Sequence, residues 1–322
     1  MNRSRKGWLK GLAGLALLAA VAYLADPAAL LLRLREADGR WLLLGLVAAF
    51  ASNVISAWRW HSLAQWLGLP MRWMDALRWY FQAIGLNVLL PGAVVGGDVY
   101  RAVAAFGMLQ APAAPMPAAK AVASLSVLLD RLSGVWMLCA LGALGAAASA
   151  PALAPVLHVR PFFVLVVAVL GALLLLAFPW VLLLWLRAKR PNTTSAWLAP
   201  LTQAAARPDA GRQWLLQALS SGMVQVLSAT ALALGGLALD VHLPASAWAF
   251  AMAPIFLLAA LPVSIGGWGT REAASIAALA PFGVPAAAAM GVALVYGGYA
   301  LVQGAVGALA FGMPGRSARQ RG

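Results

Sequence analysis

The sequence predicts an all-α polytopic membrane protein, with about six full transmembrane helices plus two re-entrant helical hairpins in an inverted repeat. Three observations carry this. Hydrophobic residues make up 63% of the chain and charged ones 10%, with a mean hydropathy of +0.85, far from the make-up of a soluble domain. Six apolar runs have the roughly 20 residues a helix needs to cross a hydrocarbon core about 30 Å thick. Two further apolar runs are each broken in the middle by proline and glycine, with matching spacing.

The first span is read at 8–25. Its flank, MNRSRKGWLK, is basic and its apolar core short, as in a secretory signal peptide; because the rest of the chain is itself polytopic, the segment reads as an uncleaved span. The second span is 41–59, followed by the first broken segment at 79–107 and a third span at 118–148. Spans at 161–186 and 213–239 come next, then the second broken segment at 247–281 and a last span at 287–311. The chain reads as one membrane domain, 1–322, with halves at approximately 8–148 and 161–311.

Basic residues in short loops mark the cytoplasmic side. They gather at the start (Arg3, Arg5, Lys6, Lys10), after the second span (Arg59, Arg72, Arg78), in the central loop (Arg187, Lys189, Arg190, Arg207, Arg212) and in the tail (Arg316, Arg319, Arg321). Both termini therefore read as cytoplasmic. The loop at 26–40 balances Arg33, Arg35 and Arg40 with Asp26, Glu36 and Asp38, while DVHLPA (240–245) and PFGVP (281–285) carry no Lys or Arg, so these three read as exterior. The assignments agree only if each broken segment enters and leaves on one face, the first from the cytoplasm and the second from outside. Half a hairpin needs about 10 helical residues to reach the midplane, and both segments have them.

The first break reads LPGAVVGGDVYR and the second LPVSIGGWGTRE: Leu-Pro, then Gly-Gly, then an arginine at the same offset from the glycines. The surrounding order also repeats, two spans, a hairpin and a span, with the second copy starting on the opposite face. Such inverted repeats occur in transporters whose substrate site lies between the halves near the midplane.

Irregular backbone at membrane depth must be buried in protein or line a wet cavity. Pro91 and Pro262 supply the breaks, and Gly96–Gly97 and Gly266–Gly267 allow close backbone approach. A half-helix is expected to start after each glycine pair, its N-terminus favouring anionic groups, with Arg101 or Arg271 one turn on. Guanidinium suits bidentate contact with phosphate, so each break reads as half of a phosphate cradle. The competing reading has Asp98 with Arg101, and Arg271 with Glu272, only neutralising each other so that the hairpins fold. A third polar site, SVLLDRLSGVW, places Asp130 and Arg131 inside a long apolar helix. Neighbours on a helix diverge by about 100°, so the two are expected to reach different partners, Asp130 the cavity and Arg131 an acidic hairpin residue or the interface. Asn87, Ser126, Ser264 and Gln303 are candidates to line a cavity or to bond helix to helix. Trp58, Trp60, Trp66, Trp73 and Trp79 read as an aromatic belt at the membrane interface.

The net charge of +14 sits at the ends of apolar runs, where it sets topology or meets anionic headgroups, so nucleic acid is not an expected partner. A single cysteine, Cys139, excludes an intrachain disulfide, and His61, His158 and His242 lack metal-ligand spacing. LPVSIGG is not a G-x-S-x-G nucleophile elbow, because Pro262 stands at its first glycine. GGDVYR lies in an apolar hairpin with no room for a soluble catalytic domain, and no P-loop is present. No enzyme activity, metal or cofactor is expected.

Three motifs in order, NVLLPGAVVGGDVYRA, SVLLDRLSG and LPVSIGGWGTREA, resemble the signatures of the lysylphosphatidylglycerol synthase transmembrane (flippase-like) family, over roughly residues 40–312. In two-domain members of that family the membrane region flips an aminoacylated phospholipid made by a cytosolic aminoacyltransferase domain. This sequence ends soon after its last span, so it resembles the membrane region standing alone, and the resemblance implies lipid handling without choosing the lipid. Carried over by motif, it singles out Pro91, Gly96, Gly97, Asp98, Arg101, Asp130, Arg131, Pro262, Ser264, Gly266, Gly267, Arg271 and Glu272. The expected function is movement of a phosphate-bearing lipid, a phospholipid or a polyprenyl phosphate, between leaflets. Arg101 and Arg271 would engage the phosphate in turn, while Asp98, Asp130 and Glu272 balance them, receive a cationic headgroup or carry a coupling proton. The expected partner is thus an anionic or phosphate-bearing membrane lipid. The alternatives are a non-transporting scaffold or accessory subunit of a lipid- or glycan-modifying enzyme, and a small-solute transporter with a closed polar cavity.

Overall fold

The computed structural model describes residues 23, 27–89, 93–108, 116–188, 198–261 and 266–311. The predicted first span, apart from Tyr23, and the breaks with Pro91, Pro262 and Ser264 lie outside the described residues. The described chain is helical, without strands: α1 (Pro27–Arg35), α2 (Gly39–Trp66), α3 (Trp73–Leu89), α4 (Ala93–Gly107), α5 (Met116–Ala148), α6 (Ala150–Leu157), α7 (Pro161–Ala188), α8 (Leu198–Ala205), α9 (Ala210–Leu237), α10 (Ala245–Ala259), α11 (Thr270–Leu279) and α12 (Ala286–Leu309). Five of these, α2, α5, α7, α9 and α12, are long and apolar enough to cross a membrane. They coincide with the predicted spans from the second onward.

The boundaries differ from the sequence reading in an informative way. The apolar run of the second span ends at residue 59, but α2 continues to Trp66, so Arg59 is not in a basic loop; it lies inside the helix and is buried. The helix runs on through the charge because that guanidinium is paired within the bundle. Short helices α1, α6 and α8 occupy stretches expected to be loops.

The antiparallel pair α2 and α9 forms the centre. Ser62 meets Gln213, Arg59 donates to Ser221 at 3.1 Å, and Ser52 shares a 2.8 Å hydrogen bond with Ser228, so rising numbers on one helix meet falling numbers on the other. Around this pair each half packs on the other: α3 lies on α12, and α10 lies on α5. Both crossings are glycine contacts. A Cβ on Gly307 of α12 would come within 1.9 Å of the Phe81 carbonyl oxygen, and one on Gly145 of α5 within 2.4 Å of the Phe250 nitrogen. Lipid supplies no hydrophobic drive between helices, so close backbone approach at small residues carries the association. Gly142, Gly297 and Gly304 are likewise tightly filled by Ala253, Arg271 and Val88, whereas Gly298 faces open space.

The short helices form two packed pairs, α3 with α4 and α10 with α11. Ala105 and Met108, at the end of α4, share an apolar cluster with Leu69 and Met71, just ahead of α3. Leu279, at the end of α11, shares one with Leu239 and Val241, just ahead of α10. Each pair therefore starts and finishes at one end of the bundle. The two ends are opposite, since they follow the C-termini of antiparallel α2 and α9. The stretches read as exterior meet at one of them, where the Asp38 N–H bonds the Ala238 carbonyl at 3.0 Å and Arg33 bonds the Leu239 carbonyl at 3.2 Å. At the other end Arg207, of the central loop, donates to the Trp66 carbonyl. Helix α7 stands at the rim against α5, α6 and α8, its phenylalanines and most of its leucines turned outward while Leu183 packs inward.

Candidate functional site

Helix α4 has two faces. Val99 and Val103 point outward, while Asp98 and Arg101, three residues apart and so on one side, point into the bundle. Arg101 is 1% exposed. Its Nη2 donates to Asp98 Oδ1 and its Nη1 to Asp130 Oδ2 of α5, both at 2.8 Å. Its guanidinium carbon lies 4.9 Å from the ring centre of Trp60 and 4.8 Å from that of Tyr80, so two aromatic rings share the cation. The other oxygen of Asp130 belongs to Arg59: Nε reaches Oδ1 at 3.0 Å and Nη2 at 2.9 Å, while Nη2 also donates to the Asp130 carbonyl at 3.1 Å. Arg59 Nη1 crosses to Ser221 of α9 at 3.1 Å, tying the cluster to the second half.

Arg131 leaves α5 in another direction and closes the cluster from outside. Its Nε bonds both oxygens of Asp98, at 2.9 and 2.8 Å. The side chains of Arg131 and Asp98 are 42% and 22% exposed, the rim of an otherwise sealed group. Three guanidiniums (Arg59, Arg101, Arg131) thus face two carboxylates (Asp98, Asp130), and the cluster carries a formal excess of one positive charge.

The second cluster is smaller and balanced. Glu272, 0% exposed, accepts from Arg271 Nε at 3.0 Å and Nη2 at 2.6 Å through one oxygen, and from the Gly269 N–H at 2.6 Å through the other. Arg271 stacks on Trp268, 4.5 Å from its ring centre, and its guanidinium fills the space a side chain at Gly297 would need, 2.2 Å from that Cβ position. Gly266, Gly267 and Gly269 have φ of 59°, 76° and 84°, the left-handed region that excludes most side chains, and α11 begins directly after them.

The two glycine pairs therefore play different parts. The expectation of a half-helix starting after the pair holds for Gly266 and Gly267 but not for Gly96 and Gly97, which lie inside α4, already begun at Ala93. The Gly97 N–H is used by the Asn87 side chain at 3.0 Å, and a Cβ there would sit 2.5 Å from that oxygen, so this glycine seats α4 on α3. Gly96 has room for a side chain. Asp130 does not face an open cavity, since both its oxygens are filled by arginines. Arg131 does reach an acidic hairpin residue, Asp98. Trp60 departs from the expected aromatic belt: it is fully buried under Arg101 and donates to Ser126 at 3.3 Å.

Sequence reasoning missed Arg59, Ser221, Trp60 and Tyr80. Arg59 and Ser221 had a signal. Ser52, Ser56 and Arg59 on α2, and Gln217, Ser221, Gln225 and Ser228 on α9, recur every three or four residues within apolar spans, the periodicity of a polar stripe on one helical face. The structure lays the two stripes against each other, pairing Ser52 with Ser228 and Arg59 with Ser221.

A comparison with curated proteins gives no match. The family model described as the lysylphosphatidylglycerol synthase TM region matches residues 11–307, a stretch that contains every side chain of both clusters. By that match over most of its length, the chain belongs to the lysylphosphatidylglycerol synthase transmembrane region family.

Proposed function

We propose that the protein moves a phosphate-bearing lipid between the leaflets of a bacterial cytoplasmic membrane, as a transporter without catalytic chemistry of its own. In this reading α3–α4 and α10–α11 are re-entrant hairpins of two inverted halves, a sixth span precedes α1, and both termini are cytoplasmic. The antiparallel α2–α9 pair, the reciprocal crossings and the return of each helix pair to its own end of the bundle support that arrangement.

The observation that carries the proposal is the charge imbalance of the first cluster. Unpaired charge is costly in a medium of low dielectric, and an acidic headgroup supplies the missing negative charge. Asp98 marks where it would bind. Its carboxylate bridges Arg101 and Arg131 at 2.8 Å on each side, the geometry with which a phosphate bridges two guanidiniums, and it is the accessible acid of the cluster. Exchange of Asp98 for phosphate lets the lipid reach Arg101. Arg271 is the second station. It lies beside Gly297, and Tyr299 two residues on meets Gly45 of α2, a level about 21 Å from Arg59 along that helix at 1.5 Å per residue. Between the stations the α2–α9–α12 seam is polar, with Ser52 bonded to Ser228 and Asn53 to Gln303. The lipid chains remain in the membrane while the headgroup passes, downhill or coupled to an ion.

The test is transbilayer movement of tagged phosphatidylglycerol and polyprenyl phosphate in proteoliposomes. Wild type is expected to move one of them, and Arg101→Ala and Arg271→Ala each to lose at least tenfold in rate with folding intact. Binding of lipid without movement, under a membrane potential or a pH gradient, would instead favour a scaffold or accessory subunit for a lipid-modifying enzyme.

A further inference from the structure

On the outer face of the bundle, between α5, α9 and α10, runs a groove of about 220 Å³. Its floor is Trp248 and Met252 of α10 with Leu141 of α5. Its walls are Ala229 and Ala233 of α9 and Ala245 and Ala249 of α10. Each alanine pair is spaced by one helical turn and so shares a face, which makes the walls smooth. At the mouth Val226 is 56% exposed on a helix that spans the membrane, so the groove opens to the hydrocarbon region. The hydroxyl at its edge, Thr230, is spent on the Val226 carbonyl at 2.8 Å, and the groove offers its occupant an apolar surface.

One end of this groove leads to the charged cluster. Gln225 lines the groove and donates to the Gly134 carbonyl at 2.9 Å. Gly134 is the residue against which the Arg59 guanidinium lies, with Nη2 3.4 Å from its Cβ position. An apolar trough open to lipid thus ends one residue away from a buried group of arginines with an excess positive charge.

We infer that the groove between α5, α9 and α10 is a binding site for one fatty-acyl chain of an anionic glycerophospholipid whose headgroup is directed at the Arg59–Asp130–Arg101 cluster. Its volume is below the roughly 300–1,000 Å³ of pockets that enclose a whole drug-sized ligand, so it takes a segment of one chain and leaves the second in the bilayer. The smooth alanine walls suit an unbranched chain and give no recesses for the regular methyl branches of a polyprenyl chain. The inference rests on the lipid-transport reading for its choice of headgroup, but its test is separable from it.

The test uses phosphatidylglycerol with a photoactivatable diazirine on one acyl chain, in proteoliposomes of the full chain, with cross-linked peptides located by mass spectrometry. Label is expected to concentrate on Leu141, Val226, Trp248 and Met252, and to fall at least fivefold there in Ala233→Phe, which fills the groove. Ala245→Phe, at an exposed position of the mouth, is expected to give the same loss without burden on folding. Label spread evenly over outward-facing helices, α7 included, and unchanged by either variant overturns the inference, whether or not the lipid moves. Concentrated label in a wild type that moves no lipid upholds the groove and defeats transport. Stronger labelling of the groove by a polyprenyl phosphate carrying the same photoreactive group overturns the assignment to an acyl chain.

Discussion

Asp130 and Asp98 are both carboxylates bound to two arginines, yet they differ in what their loss leaves behind. Asp130→Ala strands Arg59 and Arg101, both buried, with no shared anion between them, a change expected to cost on the order of 3–5 kcal/mol and to appear as a large fall in melting temperature in detergent. Asp98→Asn removes the partly exposed acid of the cluster and leaves Arg101 its second partner, Asp130, so its cost is expected to be smaller than that of Asp130→Ala; an equal loss from the two variants would contradict this order of burial. The same Asp98→Asn change frees Arg101 and Arg131 for another anion. Inorganic phosphate is therefore expected to raise the melting temperature of this variant more than that of wild type, since a ligand that binds only the folded state stabilises it by mass action. No such difference would remove Asp98 as the placeholder. The motifs made Asp98, Arg101, Asp130 and Arg131 legible in the sequence, including the divergence of Asp130 and Arg131, because that follows from helix geometry alone. Arg59 was masked by its flanks: WRWH at the end of an apolar run looks like an interface, and its place in the Ser52–Ser56–Arg59 stripe points to a buried face without naming its partner on another helix, Asp130.

At the scale of elements, the fold depends on a few crossings that admit no side chain. Gly307→Leu and Gly145→Leu are each expected to push α12 off α3, or α5 off α10, at the roughly 1–3 kcal/mol or more of an overpacked contact. Gly171→Leu on α7 and Gly298→Leu on α12, which face open space, are expected to leave the melting temperature within about 0.5 kcal/mol of wild type. Equal effects at all four positions would mean that the crossings lie elsewhere. The spans themselves were plain from hydropathy, which reads composition. The start of α4 was not, because Ala93, Val94 and Val95 suit helix or break equally, and the choice is made by Asn87 reaching across to the Gly97 N–H. At the second break three glycines at positive φ settle the matter locally, and there the reading from sequence and the structure agree.

For the molecule as a whole, the arrangement predicts which positions share a side. In a Cys139→Ser background, single cysteines at Arg72 and Met108 are expected to react with an impermeant thiol reagent from one face of the membrane, and those at His242 and Gly283 from the other. Labelling of Arg72 and Met108 from opposite faces would turn α3–α4 into a crossing segment and end the inverted-repeat description. The contrast between frame and short helices has a consequence for biogenesis. Helix α7, with a mean hydropathy of 2.9 over its most apolar window, partitions into a bilayer unaided. Helix α4 carries Asp98 and Arg101, and α11 carries Arg271 and Glu272, at about 2.5–3.5 kcal/mol for each such charge near the bilayer centre. In the proposed hairpin reading, α11 brings its own neutralising pair, whereas α4 is expected to lodge there only once Asp130, on a helix synthesised later, has arrived to share Arg101. In that reading maturation is expected to run from the long helices to α4, and a nascent chain that stalls before α5 is expected to hold an arginine that the membrane will not yet accept.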